Sequence, residues 1–329
     1  MEKYSQFRDR GTGISPFLPS TTPASTFSTL WRSVLFLCRL PFFLTYSAVF
    51  FLVLDHLPSF IIPQVGRKLL LWTLLGIPGI WWVDLQLDGV KRGSLSQQPS
   101  SRFPNARSVI AAQFTSPVDA LYLAAIFDPI FTVSYPSTRK VRRVSLLGAI
   151  LHALAPPPTR GPPPSATGLT TLRALVEQNP HRVVAVFPEM TTTNGKGILP
   201  LSPSLLATPP DARIFPVSMR YTLPDITTPV PGEYLGFLWN LLSRPKHLIR
   251  VRIAEGVTNN AVALTNGVGP ASHAPERAND DSAEDLTPEE AVLLGRIGEA
   301  LSRLARNKRV GLTLRDKAAF VELWRKGRK

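Results

Sequence analysis

The chain has 329 residues, a formal net charge of +14 and a single cysteine, Cys38. The length suits one sizeable α/β domain with appendages rather than two large domains, and one cysteine excludes an internal disulfide or a cysteine zinc cluster. Long apolar runs accompany the positive charge and no basic-aromatic module is visible, so an anionic membrane surface is the expected partner and nucleic acid is not.

Residues 1–27 are rich in Ser, Thr, Pro and Gly without apolar periodicity, which predicts a mobile tail; the apolar region starts too late for a signal peptide. Residues 28–83 hold two apolar runs. The first, Val34 to Leu54, is long enough to cross ~30 Å of hydrocarbon as a helix, with Arg39 placed to snorkel and Pro41 to kink it. The second, Leu69 to Val83, falls short of the ~20 residues of a span and is broken by Gly76, Pro78 and Gly79, leaving a tilted half-span, a re-entrant segment or an interfacial helix open. Together they read as a membrane-anchoring hairpin, with a pair of buried soluble helices as the alternative. Lys3, Arg8, Arg10 and Arg32 before it and Lys91 and Arg92 after it favour both ends on the cytosolic side, against which Arg67 and Lys68 count.

Across residues 84–257, strand patterns at Trp82 to Leu87, Arg107 to Gln113, Phe131 to Ser134 and Val183 to Phe187 alternate with helical patterns at Val118 to Phe127, Val144 to Leu154 and Leu169 to Gln178. Ser116 is placed as an N-cap with Pro117 in the first turn, and Pro156 to Pro164 must be a surface loop. The alternation predicts an α/β fold, a mainly parallel sheet flanked by helices. Residues 258–286 read as a flexible linker and 287–329 as basic helices, the first opened by Thr287-Pro288-Glu289-Glu290. Beyond Arg315, aromatic and basic residues alternate as in a membrane-surface tail.

Two polar blocks stand at strand ends, where open α/β sheets bind ligands. One is Gln113-Phe114-Thr115-Ser116-Pro117-Val118-Asp119; the other is Phe187-Pro188-Glu189-Met190-Thr191-Thr192-Thr193-Asn194-Gly195. An Asx- or ST-type turn accounts for the second block alone; the pair, in this order, favours a site in which Asp119 and Glu189 face one depression. The second block resembles the Phe-Pro-Glu-Gly-Thr-Thr-Thr-Asn-Gly signature of glycerolipid acyltransferases, and the first resembles their Asn-His-Thr-Ser-Pro-Leu-Asp block. Ile214 to Tyr221 is similar to their late strand with its Pro-Val pair. The resemblance spans Trp82 to Glu255 and is strongest to fungal members of the lysophosphatidic acid and lysophospholipid acyltransferases.

The resemblance implies an acyltransferase-like sheet and an O-acyltransferase that uses acyl-CoA as co-substrate, without cofactor or metal, to acylate a lysophospholipid, with lysophosphatidic acid a candidate. It also implies an endoplasmic-reticulum or lipid-droplet membrane with the catalytic domain facing the cytosol. Carried over by position, Asp119 is a catalytic residue and Phe114 occupies the place of the histidine that deprotonates the acceptor. Thr115, Ser116, Glu189, Thr191, Thr192, Thr193, Asn194, Gly195 and Lys196 bind substrate.

Two positions depart from the pattern. Phe114 cannot take a proton, which leaves His152, Asp119 itself, or positioning and oxyanion stabilisation without a base. Loss of general-base catalysis removes ~10²–10⁴-fold in rate, so the alternative reading is a catalytically impaired pseudo-acyltransferase that binds or traffics lipid. Met190 replaces a glycine and either narrows the pocket or shifts the loop if the backbone needs a positive φ. The basic run Arg139, Lys140, Arg142 and Arg143 reads first as a solvated or headgroup-facing surface and second as a substrate-phosphate contact.

Overall fold

A computed structural model describes residues 2–22, 26–56, 63–91, 93–163, 167–259 and 286–327. The linker expected at 258–286 lies mostly outside them. In chain order the elements are α1 (Thr26–Leu52), α2 (Gln64–Gly76), β1 (Trp82–Leu87), β2 (Val109–Ala112), α3 (Pro117–Phe127), β3 (Ile130–Ser134), β4 (Val141–Val144) and α4 (Leu146–Ala153). There follow β5 (Leu169–Thr170), α5 (Leu172–Gln178), β6 (Val184–Val186), β7 (Gly197–Ile198), β8 (Arg213–Tyr221), α6 (Tyr234–Leu242), β9 (Leu248–Ile253) and β10 (Val257–Thr258). The chain closes with α7 (Pro288–Ala305), β11 (Lys308–Arg309) and α8 (Leu314–Lys326).

The main sheet runs β1-β9-β8-β2-β6-β3-β4-β5, with β10 also paired to β8. Its centre, β8-β2-β6-β3, is parallel, as the alternation predicted. Its flanks are mixed, because β9 runs antiparallel to β8 and β4 antiparallel to β3. Val109, Ile110, Ala111, Val184, Ala185 and Val186 are all fully buried, the continuous apolar pattern of strands covered on both faces. One face packs under α2, α3, α4 and α6, the other under α5 and α7.

Local chemistry fixes the helix that matters most. Ser116 caps α3 by accepting from the Val118 amide, Pro117 sits in the first turn, and Asp119 closes a capping box back to the cap residue.

The hydrophobic hairpin divides into two unlike helices. In α1, a 24-residue stretch, Thr29–Leu52, has mean hydropathy 1.8 and only 6% of its most apolar window is buried, so by length and composition it is able to cross a bilayer. Pro41 lies inside it. Arg39 does not snorkel outward. Its guanidinium donates to the carbonyls of Pro78, Leu242, Arg244 and Pro245, which ties α1 to the domain. By contrast, α2 turns Leu71, Leu74 and Leu75 into the core beside α3, so the second run is a packed domain helix whose last residues start β1.

Both chain ends also depart from expectation. The segment expected as a mobile tail buries Phe17 completely and Phe7 almost so, and Phe7, Tyr4 and Phe17 ring Phe320 at centroid distances of 5.3, 5.6 and 6.0 Å. The segment expected as a surface tail forms α8, which buries Leu314, Lys317, Phe320 and Val321. Scattered aromatics with no period gave no signal of burial, yet a few large rings supply enough apolar area to dock both ends.

Candidate active site

The two motif blocks leave the carboxyl ends of neighbouring parallel strands, β2 and β6, and lock together through their backbones. Phe114 donates its amide to Glu189 Oε1 at 3.4 Å and Thr193 donates its amide to the Phe114 carbonyl at 3.1 Å. Glu189 Oε2 accepts from the Leu199 amide at 3.1 Å. Asp119 Oδ2 accepts from the amides of Thr115 at 2.7 Å and Ser116 at 2.9 Å and from Thr115 Oγ1 at 3.0 Å, while Tyr221 Oη donates to Oδ1.

These carboxylates therefore converge, but behind the surface. Both are 0% exposed, and neither presents a free oxygen to a cavity. Burial pushes Asp119 up to about 6 against the pull of its hydrogen bonds, and pushes Glu189 up to about 8. Asp119 has no imidazole to orient; Tyr221 takes that place.

The hydroxyl cluster is likewise committed within the protein. Thr191 Oγ1 accepts from Lys317 Nζ at 2.7 Å, Thr192 Oγ1 bonds the Thr228 carbonyl at 2.5 Å, and Thr193 Oγ1 accepts from the Gly195 amide at 3.3 Å. Ser116 Oγ donates to the Ile226 carbonyl at 2.8 Å. Asn194 donates to the carbonyls of Ser15 and Leu18 at 2.7 and 2.8 Å, so the N-terminal segment is stitched to the motif loop. These side chains, expected as substrate contacts, build the loop, and Asn194 also lines one of the cavities beside it.

Lys317 is the residue that sequence reasoning missed. It is 0% exposed, and besides Thr191 it donates to the Thr192 carbonyl at 2.5 Å. Burial lowers it to about 7, countered by the nearby Glu189 charge. In the sequence it was one of several basic residues in a basic end. Directly after the motif, β7 pairs with β11, so the C-terminal region clamps the loop from a second direction.

Cavities open on either side of this block. On the β8/β2 side, about 380 Å³ is lined by Thr115, Asn194, Gly195, Lys196, Arg220 and Arg250, among others. Gly195 has φ +72°, which lets the backbone turn here. On the β3/β4 side, about 670 Å³ is lined by Tyr135, Arg142, His152 and the Pro-rich loop through Arg160. A second hollow of about 620 Å³ shares Thr159, Arg160 and Gly161 with it and adds Met190, Leu199, Leu201, Leu314 and Arg315.

Phe114 is 0% exposed and sandwiched on this side, its ring stacked on Phe187 at 4.2 Å and on His152 at 5.9 Å. Met190 has φ +58°, the left-handed backbone that suits glycine, and its side chain is turned into the wall of the hollow. Position 190 thus carries both effects weighed from the sequence: an unusual φ and a bulkier pocket wall.

The basic run separates into different roles. Arg139 pairs with Glu290 at 2.8 Å, whereas Arg142 enters the cavity wall from β4 and its Nε lacks a hydrogen-bond partner among the described residues.

Fold and site together define an α/β protein with an exposed apolar N-terminal helix and a cleft at the carboxyl ends of its parallel strands, framed by glycerolipid-acyltransferase-type motifs. Over 98% of its length the chain is 27% identical to the "Putative lysophosphatidic acid:oleoyl-CoA acyltransferase" of Schizosaccharomyces pombe, covering 98% of that protein. Over 61% of its length it is 28% identical to "Lysophosphatidic acid:oleoyl-CoA acyltransferase 1" of Saccharomyces cerevisiae, covering 61% of that protein. No protein-family model matches the chain. The two relatives bear out the resemblance to fungal lysophosphatidic acid acyltransferases read from the motif blocks.

Proposed function

We propose that this protein transfers an acyl chain, oleoyl in particular, from acyl-CoA to the free hydroxyl of lysophosphatidic acid at a membrane surface. The observation that carries the reading is the interlock of the two motif blocks through Glu189 and the Phe114 amide, in a chain similar over nearly its whole length to a relative of that name. The cleft on the β3/β4 side takes the substrates. Its wall of Met190, Leu199, Leu201 and Leu314 suits an acyl chain, and Arg142, Arg160 and Arg315 suit phosphate groups. The apolar face of α1, with Phe27, Trp31, Leu37 and Phe42 all more than half exposed, provides the membrane attachment.

Purified full-length protein with labelled oleoyl-CoA and a panel of lysophospholipids tests this. Transfer to lysophosphatidic acid well above a heat-killed control is expected; none to any acceptor sinks the enzyme reading and leaves a lipid-binding pseudo-acyltransferase. In cells, the protein should resist high-salt and carbonate extraction, because screening does not weaken apolar attachment. Release by salt alone would remove α1 from the bilayer.

A further inference from the structure

Acyl transfer from a thioester to a hydroxyl needs somewhere for the hydroxyl proton to go, and any assignment of that proton acceptor rests on the acyl-transfer function proposed above. At neutral pH the useful acceptors are carboxylates and neutral imidazoles. Among the described residues in and behind the motif blocks these are Asp119, Glu189 and His152. Asp119 is fully buried and its oxygens are held by two amides, Thr115 Oγ1 and Tyr221. Glu189 is fully buried with each oxygen accepting a backbone amide.

His152 differs on both counts. It stands late in α4, is partly exposed, and lines the β3/β4 cavity beside Arg142 and Arg160. Its ring lies nearly parallel to that of Phe114, 18° apart at 5.9 Å, so a packed aromatic platform fixes its plane. An interaction with the Met190 backbone favours the protonated ring, and in the neutral imidazole one of the two ring nitrogens carries a lone pair.

We propose that His152 accepts the proton of the acceptor hydroxyl as that oxygen attacks the thioester carbonyl, a step that Phe114 is chemically unable to perform. The new C–O bond forms while the O–H proton passes to the free ring nitrogen. Collapse of the tetrahedral intermediate breaks the C–S bond, and the imidazolium returns its proton to the departing thiolate. Ester and thiol leave, and the ring is neutral again.

The surroundings keep the ring neutral beforehand. Burial, Arg142 from β4 and Lys317 from α8 push it down to about 4, with the Met190 hydrogen bond opposing them. A phosphate-bearing substrate that neutralises Arg142 removes one of the charges that hold it down.

The test uses full-length protein in detergent micelles with labelled oleoyl-CoA and lysophosphatidic acid. The His152→Gln and His152→Ala variants are expected to lose about 10²–10⁴-fold in kcat. KM for both substrates should stay within about twofold, as for a group acting in the transition state. Added imidazoles should restore His152→Ala with rates that follow imidazole basicity among rings of similar size. Rescue that follows ring size alone, or undiminished kcat in His152→Gln, overturns the assignment. Should His152→Gln melt far below the wild type, the His152→Ala rescue series decides, since a packing role responds to shape and a base role to basicity. A wild type inactive with every acceptor overturns the parent reading and this one with it; an active wild type with active variants overturns His152 alone.

Discussion

The motif interior and the cavity rim are built from opposite chemistry. Inside, Asp119, Glu189 and Lys317 are charged residue types with no exposed surface and every one of them hydrogen-bonded. At the rim, His152, Arg142 and Arg160 line the β3/β4 cavity, and Arg142 has a buried nitrogen unpartnered among the described residues. The contrast teaches that the residues most recognisable in the sequence hold the loop in shape, while less recognisable ones line the cavity in which the proposed function places the substrate. Both chain ends contribute to the interior: Ser15 and Leu18 hold Asn194, and α8 delivers Lys317.

The sharpest way to break this comparison is to damage the interior and ask what is lost. Asp119→Asn replaces an all-acceptor group facing four donors with one that carries its own N–H groups. Each buried donor left unpaired costs about 1–3 kcal/mol. We expect Asp119→Asn and Glu189→Gln each to abolish transfer and to lower the melting temperature together with it. Loss of activity at an unchanged melting temperature would place these carboxylates at the reacting atoms instead.

A smaller effect is expected at the clamp. Lys317→Met keeps the length of the side chain but leaves Thr191 Oγ1 and the Thr192 carbonyl without their donor, a loss of about 1–3 kcal/mol. Transfer should fall while membrane binding stays intact. Reduced membrane binding with full transfer would return the C-terminal segment to the lipid-tail role expected from its composition.

Stability against pH then reads the interior directly. Glu189, raised from 4.5 to about 8, and Asp119, raised from 3.8 to about 6, bind protons in the folded state that the unfolded chain has released, so stability declines as pH rises through those windows. Lys317, lowered from 10.5 to about 7, has the reverse effect and restores stability between about 7 and 10.5. Melting temperature should pass through a minimum near pH 7 to 8, and Glu189→Gln should flatten the decline on the acid side. His152, lowered from 6.5 to about 4, works the other way below about 6.5, so the Glu189 contribution is read as the difference between the wild type and Glu189→Gln; identical pH profiles for the two from pH 5 to 8 would contradict it.

How much of this could be read from the sequence depends on the range of the interactions. The cap of α3 was legible because Ser116, Pro117 and Asp119 act within one turn. The β6 strand and its motif were legible from an unbroken apolar run ending in polar residues. The strand β4 was not, because Arg142 and Arg143 in four residues hide its alternation. Lys317 was not, because its partners lie 126 and 125 positions away and nothing local marks a lysine for burial. The same holds for Tyr221, which reaches Asp119 across 102 positions and fills the role that a histidine at 114 was expected to leave empty.

The smallest effect is expected at Phe114 itself. An imidazole placed by Phe114→His enters a fully buried slot between Phe187 and His152, and finds both oxygens of Asp119 already taken. Activity should therefore gain little, and a large gain in kcat would show that Asp119 exchanges Tyr221 for the new ring.

The claim that the β3/β4 cleft is where the rim chemistry happens is open to one direct observation. A structure of the full-length protein with lysophosphatidic acid and an unreactive thioether analogue of oleoyl-CoA locates the acceptor hydroxyl and the sulfur. The account predicts the hydroxyl in hydrogen-bonding distance of His152, with phosphate groups on Arg142 and Arg160. A hydroxyl seated instead beside Lys196 and Arg220, in the cavity on the β8/β2 side, would contradict it.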